Sequence, residues 1–347
     1  MKNSKSKKNK VNNNKSNKEK KSIKYNKNSN KKILVKKKLD KKTDIKKSIP
    51  KPDIKIDINN PKKDAELIAK AYNIPIEFNK KCLDEAKSLP DNLENEPLEF
   101  DRIDLRDLKT ITIDGVDSKD FDDAISVEKL NDGYKIGVHI ADVSHFVDIG
   151  SALDREARKR GNSVYLIDKV YPMFPHELSN GICSLNEGVS RFAMTVFINI
   201  DNKGNIRESS FHKSVIKSDR RLTYDYAQDI LDKIEEDEEW LKKLLTEANE
   251  IKEILLKKRI ENGSIEFNLN ETKIILDGDG NPKDFFIAER KETHKIIEEL
   301  MLLANCEVAK KLKNIKGAIY RVHDSPDKEK LDTFNRIAYN RGYKLVK

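Results

Sequence analysis

The sequence predicts an α+β fold: a mixed, mainly antiparallel sheet with packed helices, preceded by a disordered basic tail. Three observations carry this reading. Residues 1–50 hold 20 lysines, no arginine and three acids, with almost no periodic apolar residues. From residue 111 onward, short apolar runs separated by Asn-Asp-Gly and other glycine turns read as hairpins. Between and after these runs, apolar residues recur at helical spacing over 225–260 and 292–313, so helices must pack against the sheet.

Taken in order, residues 1–60 cannot bury enough apolar surface to offset their ordering entropy and are expected to be disordered. Such a tail is either an electrostatic tether to nucleic acid or a solvated low-complexity segment. Residues 61–110 are expected to form a helical linker and strap. Asn60-Pro61 suits a helix start. Leu67, Ile68, Ala71 and Tyr72 follow at helical spacing, Pro75 interrupts, and "EFNKKCLDEAKSL" begins a second helix. "TITI" is a strand running into Asp114. "DDAISVEKL" and "YKIGVHIADVSHFV" are two strands joined at Asn131, Asp132 and Gly133. "SALDREARKRG" is a short helix closed by Gly161. "SVYLIDKVYPMFP" is a strand and turn. "FAMTVFINIDNKGNIRESSFHKSVIKS" is a hairpin turning at 202–204. Residues 225–260 form a long amphipathic helical region containing Trp240. "SIEFNLNETKIILDGDGNPKDFFIAE" returns to strands. Ile296, Ile297, Leu300, Leu303 and Ala304 form the core stripe of a helix over 292–313. "GAIYRVHD" is a strand, and a last helix starts near 326.

Composition narrows the classes. The net charge of +9 belongs to the tail, so the remaining body is net acidic. Apolar and charged residues each make up 37%, which is polar for a chain folded throughout. No apolar run reaches the roughly 18 residues that a membrane span needs, and the basic N-terminus lacks a signal-peptide core. Cys82, Cys183 and Cys306 have no CxxC spacing, which argues against a disulfide framework or a zinc ribbon. Inert thiols in a reducing cytoplasm are expected.

The chemistry-bearing stretch is "TIDGVDSKDFDDA", with Asp114, Asp117, Asp120, Asp122 and Asp123. Carboxylates this close raise each other's pKa unless a positive charge sits among them. Asp120 and Asp122 share a side in extended backbone; a bend would bring Asp114 and Asp123 to them. A solvated acidic turn is the alternative, although apolar strands on both flanks argue against it. The spacing does not fit a calcium-binding EF-hand loop. Hard oxygen donors favour Mg2+ or Mn2+, and two such ions suit phosphodiester hydrolysis.

These aspartates, with "GVHIADVSHFV", "GSALDREARKRGNSVYL", "YPMFPHELSNGICSLNEGVSR", "RLTYDYA" and "HKIIEELMLLANCEVAK", resemble the RNB catalytic domain of the ribonuclease R and ribonuclease II family. The blocks occur in the family's order over about residues 60–347. The resemblance implies an RNB-like fold and a 3′→5′ exoribonuclease that hydrolyses single-stranded RNA to nucleoside 5′-monophosphates with Mg2+, or with Mn2+. It makes Asp114, Asp120, Asp122 and Asp123 the catalytic metal ligands, with Asp122 the one whose loss abolishes cleavage while sparing RNA binding. Asp117 is peripheral. Tyr165 matches the aromatic that stacks near the RNA 3′ end, and Phe267 is a second RNA-stacking candidate. His139, Asp142 and His145 read as scaffold. Arg191, Arg220 and Arg221 read equally as phosphate contacts or as solvated, salt-bridged groups. Arg321 and His323 border either the core or an RNA channel.

The expected partners are single-stranded or structured RNA, with the ribosome or the RNA-decay machinery as further candidates. A cytoplasmic monomer with no membrane partner is expected. The pattern departs from the family in lacking cold-shock domains ahead of residue 60. Residues 111–347 match only the N-terminal portion of the catalytic domain. The family's later arginine and glutamate, and its S1 domain, have no counterpart here. A catalytically weak or inactive RNA-binding remnant is therefore the alternative reading.

Overall fold

The structure, a computed structural model, describes residues 61–94, 100–266 and 271–343. The predicted tail, residues 1–60, and Phe267 lie outside them. The sheet belongs to the unit Pro50–Ala318, and residues 319–343 belong to a second unit.

After a 3-10 turn at Pro61–Lys63, α1 (Asp64–Ala71) and α2 (Lys80–Lys87) form the predicted helical pair. Asn79 caps α2 by accepting from the Cys82 amide at 3.0 Å. The strap then contributes a strand, β1 (Arg102–Leu105). Next come β2 (Ile111–Asp114), β3 (Asp123–Leu130) and β4 (Gly133–Ala141). The residues predicted to prolong β4 form α3 (Val143–Phe146) instead. The chain leaves the sheet at Asp142, whose carboxylate turns to the buried Arg102. α4 (Ala152–Arg160) closes on Gly161 at φ 79°, a left-handed stop that glycine takes without strain. β5 (Val164–Tyr165) and β6 (Val170–Tyr171) make a small ribbon.

A π-helical turn at Glu177–Ile182 precedes β7 (Ser190–Asp201), β8 (Ile206–Lys217) and β9 (Arg220–Thr223). The region predicted as one helical stretch is two helices, α5 (Tyr224–Leu231) and α6 (Glu239–Glu261). Between them Lys233 takes φ 60°, which interrupts helical hydrogen bonding. β10 (Glu271–Leu276) and β11 (Pro282–Ala288) pair with each other. α7 (Glu292–Leu312) and α8 (Lys328–Asn340) complete the order. The strand predicted over 317–324 does not form. Strand composition alone does not make a strand, which is defined by a backbone ladder with a neighbour.

The main sheet runs β1-β8-β7-β4-β3-β2-β9, antiparallel in its middle and parallel at both edges. β8 and β9 are nearly contiguous in sequence yet stand next to one end and at the other end of this order, so the sheet curls. The seam is closed by Asp219 N–H on Thr110 O at 2.8 Å and by Thr110 Oγ1 on Lys217 O at 3.1 Å. α5, α6 and α7 cover one face, where Ile125, Ile136 and Ile198 meet Leu245, Ile251 and Leu300. Four of the five stripe residues of α7 are buried there, and Leu303 is partly buried. Leu153, Leu178 and Ile182 form a second core with Cys82, Phe192 and Val215. All three cysteines are free, and Cys306 is exposed.

A polar ladder crosses the middle of the sheet. Ser214 Oγ donates to Ala193 O at 3.1 Å and so accepts from Thr195 Oγ1 at 2.7 Å. Thr195 in turn accepts from His139 Nδ1 at 2.8 Å, which leaves Nε2 to accept from Ser126 Oγ at 3.0 Å. A Cβ on Gly137 would lie 2.2 Å from Ser126 Oγ, so the ladder requires glycine at that point in the strand. Burial lowers the His139 pKa to about 3. Between that value and the ordinary ~6.5 of an unfolded histidine, only the unfolded chain binds the proton. Stability contributed by His139 is therefore present above about pH 6.5 and falls by ~1.4 kcal/mol for each pH unit below it. Urea midpoints taken from neutral pH to about pH 4.5 check this. His139→Gln flattens the slope, and an unchanged slope in that variant contradicts the assignment.

Candidate active site

β2 ends at Asp114 and β3 begins at Asp123. The intervening loop opens with a turn, Ser118 N–H on Gly115 O at 3.1 Å. It closes on Phe121, which is buried. The Phe121 amide donates to Ser184 Oγ at 2.9 Å, and Phe121 O accepts from Leu185 N–H at 2.8 Å. Asp122 O accepts from Ala141 N–H at 2.9 Å. Packing Phe121 inward leaves its neighbours Asp120 and Asp122 the opposite, outward alternation. Asp117 is exposed.

The carboxylates act on one another electrostatically. Burial, and then Asp123, push the Asp114 carboxyl up to about 7; Arg221 opposes them, while Asp122 and Asp120 add to the rise. Burial and Asp122 push Asp123 up to about 6. Asp122 is raised by burial and by Asp120. Oδ2 of Asp114 is buried and has no hydrogen-bond partner. Like charges crowded around an unsatisfied buried oxygen fit a site completed by a cation. The donors are all hard oxygens, which suits Mg2+ or Mn2+. Among the described residues no three His, Cys, Asp or Glu side chains are drawn together as a metal-ready group. The aspartates are coupled in charge but not closed into a coordination sphere.

Tyr165 on β5 is 65% exposed, and its hydroxyl donates to Asp120 Oδ2 at 3.4 Å. Phe267, outside the described residues, is not placed. His139 belongs to the ladder, and Asp142 and His145 both lie against Arg102, at 2.7 and 3.2 Å. Arg191 is not solvated: it is buried and donates to Ser184 O and Ser190 O, each at 3.0 Å, and among the described residues it has no ion-pair partner. Arg220 pairs with Asp237 at 3.1 and 2.9 Å. Arg321 and His323 are exposed.

Two groups beside the aspartates carry no spacing signal in the sequence. Tyr224 follows β9 and stacks on His294 with ring centres 3.9 Å apart. Burial, then Asp114 and Asp123, push its phenol up to about 12. Arg221 Nη2 reaches Gly115 O at 3.0 Å and Val116 O at 3.3 Å. Tyr224 was visible only as a member of a quoted block, whereas Arg221 was read as a phosphate contact or a solvated, salt-bridged group and instead binds two backbone carbonyls.

Similarity to known proteins gives the family. The RNB domain family matches over residues 102–346. Ribonuclease R of Thermotoga maritima is 44% identical over 280 residues, 79% of this chain and 39% of that protein. Ribonuclease R of Mycoplasmopsis pulmonis is 41% identical over 301 residues, 84% of this chain and 41% of that protein. The chain thus spans about two fifths of the length of these relatives. Among solved structures, Mycoplasma genitalium RNase R in complex with ribose methylated single-stranded RNA has a TM-score of 0.77 at 32% identity, covering 81% of this chain and 44% of that one. Yeast Ssd1, a pseudonuclease, shares the fold at a TM-score of 0.65 and 20% identity, so fold alone does not decide activity. The family match extends over well more than half of the chain and takes in all four clustered aspartates; the chain belongs to the RNB domain family.

Proposed function

We propose that this chain carries the metal-binding portion of a 3′→5′ exoribonuclease that hydrolyses single-stranded RNA to nucleoside 5′-monophosphates. The observation that carries this reading is the coupled aspartate cluster around the unpartnered Asp114 oxygen. Asp114, Asp120, Asp122 and Asp123 hold Mg2+, with Mn2+ as a substitute. The bound ions supply an activated water and charge for the leaving oxygen. Tyr165 offers an exposed ring beside Asp120 on which the RNA end stacks, with Phe267 as a second platform. Stacking tolerates any base, as a processive enzyme requires. In this reading residues 61–110 are the helical linker and strap, and 111–347 the N-terminal portion of the catalytic domain. The protein acts in the cytoplasm as a monomer on single-stranded or structured RNA, alongside the RNA-decay machinery or the ribosome.

The test is a 5′-labelled single-stranded RNA incubated with the 347-residue chain and Mg2+. Shortening from the 3′ end with release of nucleoside 5′-monophosphates is expected. RNA binding by a folded protein without any Mg2+-dependent product would reduce the chain to a binding remnant. A second expectation concerns the metal alone. Saturating Mg2+ binds the folded state and not the unfolded one, so at 100 times Kd it adds about 2.7 kcal/mol of stability. Thermal melts with and without EDTA read this, and the Mg2+ effect is absent in Asp122→Asn. An equal effect in that variant places the ion elsewhere.

A further inference from the structure

The segment joining Asp114 to Asp123 carries the other candidate ligands but has little apolar content of its own. Val116 is 71% exposed, and Phe121 is the hydrophobic residue it buries. A polar loop of this kind samples many conformations unless groups outside it hold its ends. One side chain holds both. Arg221 Nη2 donates to Gly115 O and Val116 O at the start of the loop, at 3.0 and 3.3 Å. The same guanidinium lies 5.3 Å from the centre of the Phe121 ring near the loop's end. Its Nε is buried and makes no hydrogen bond, so satisfying its own donors does not explain where it sits.

Its mounting does. Arg221 is paired with Thr112 across β9 and β2, so the guanidinium rides on the strand pair that ends in Asp114. The Arg221 amide is itself held by Glu187 Oε2 at 2.7 Å. Phe121 is fixed independently by Ser184 and Leu185.

We propose that Arg221 is a positioning residue that clamps the aspartate loop, setting Asp120 and Asp122 against Asp114 so that the carboxylates close on a divalent cation without first being ordered. The cation-binding part rests on the proposed function; the clamp itself does not. One nitrogen of the guanidinium reaches both carbonyls while the body of the same extended group lies against the Phe121 ring. An ammonium is a point charge and cannot do both. Charge and clamp are therefore separable by substitution.

The experiment uses the 347-residue chain as wild type, Arg221→Lys and Arg221→Gln. Amide hydrogen exchange over 115–121 reads the clamp, exchange over β7 and β8 reads the fold, and Mn2+ binding followed by electron paramagnetic resonance reads the site. In both variants exchange in the loop rises at least about tenfold while β7 and β8 stay protected. Mn2+ affinity falls about tenfold, the scale for losing a group that orients metal ligands. Lysine does not rescue either property. Wild-type exchange in Arg221→Lys overturns the clamp and leaves charge as the role. Loosened loops with unchanged Mn2+ affinity overturn the link to cation binding. A wild-type protein without Asp122-dependent Mn2+ uptake overturns the proposed function and the positioning role with it, and the exchange data then decide the clamp alone.

Discussion

Asp122→Asn abolishes Mg2+-dependent RNA hydrolysis, a loss on the order of 10²–10³-fold or more, and leaves RNA affinity within about twofold. The substitution keeps the shape of the side chain and removes an anion. Under the proposed function, hydrolysis depends on the ions those anions would hold, whereas stacking on Tyr165 does not. A second consequence runs against intuition. Asp122 contributes to the upward shifts of both Asp114 and Asp123, so in metal-free protein it is a source of repulsion. The variant therefore melts at a higher temperature than wild type in EDTA, as happens when a site optimised for function is relieved of its strain. Asp117→Asn, at an exposed position of the same loop, changes neither property. Equal hydrolysis by wild type and Asp122→Asn would remove Asp122 from the site. A lower melting temperature for the variant in EDTA would make Asp122 a structural residue instead.

Arg102→Met destabilises the fold by about 3–5 kcal/mol, the cost of removing one partner from a buried ion pair. Arg102 Nη2 meets Asp142 Oδ2 at 2.7 Å, with the two side chains 0% and 3% exposed. Nη1 reaches Ser214 O at 3.4 Å, and the guanidinium stacks 4.0 Å over Phe192. Burial alone would push the Asp142 carboxyl up, but Arg102 and Ser144 outweigh it and hold the carboxyl below its usual range. Without Arg102 that charge is left uncompensated inside the protein. The double variant Arg102→Met with Asp142→Asn recovers much of the loss, because no bare charge remains. Urea titration of the wild type, both single variants and the double variant measures the coupling. A single-variant loss under about 1 kcal/mol contradicts this account. The site also feels the change, since the amide of Ala141, next to Asp142, holds Asp122 O at 2.9 Å.

Much of the fold was legible because periodicity reports which face a residue takes. The turn at Asn131, Asp132 and Gly133 between two apolar runs marked a hairpin, and the stripe at 296, 297, 300 and 304 marked a buried helical face. Each of these is local, carried by residues within one element. The failures were equally physical. "GAIYRVHD" has strand composition, but a strand needs a ladder, and pairing is a property of neighbours. The stretch 225–260 has helical composition throughout, but Lys233 adopts a left-handed turn that periodicity does not see. The strap looked like a connector, yet its Arg102 lies fully buried at the edge of the sheet.

By itself the sequence determined the family of this protein: hard carboxylate oxygens concentrated between two strands, an aromatic at the position the family's pattern marks, and blocks in the order of one family. Tertiary structure alone decided what surrounds those carboxylates. The curl of the sheet sets β9 beside β2, which brings Arg221 to a loop some hundred residues away (its contact with Gly115 spans 106 positions) and Tyr224 to Asp114 and Asp123. Spacing along a chain governs contacts within a helix or a hairpin. Contacts across a curled sheet depend on which strands meet, and that is settled only when the whole core packs.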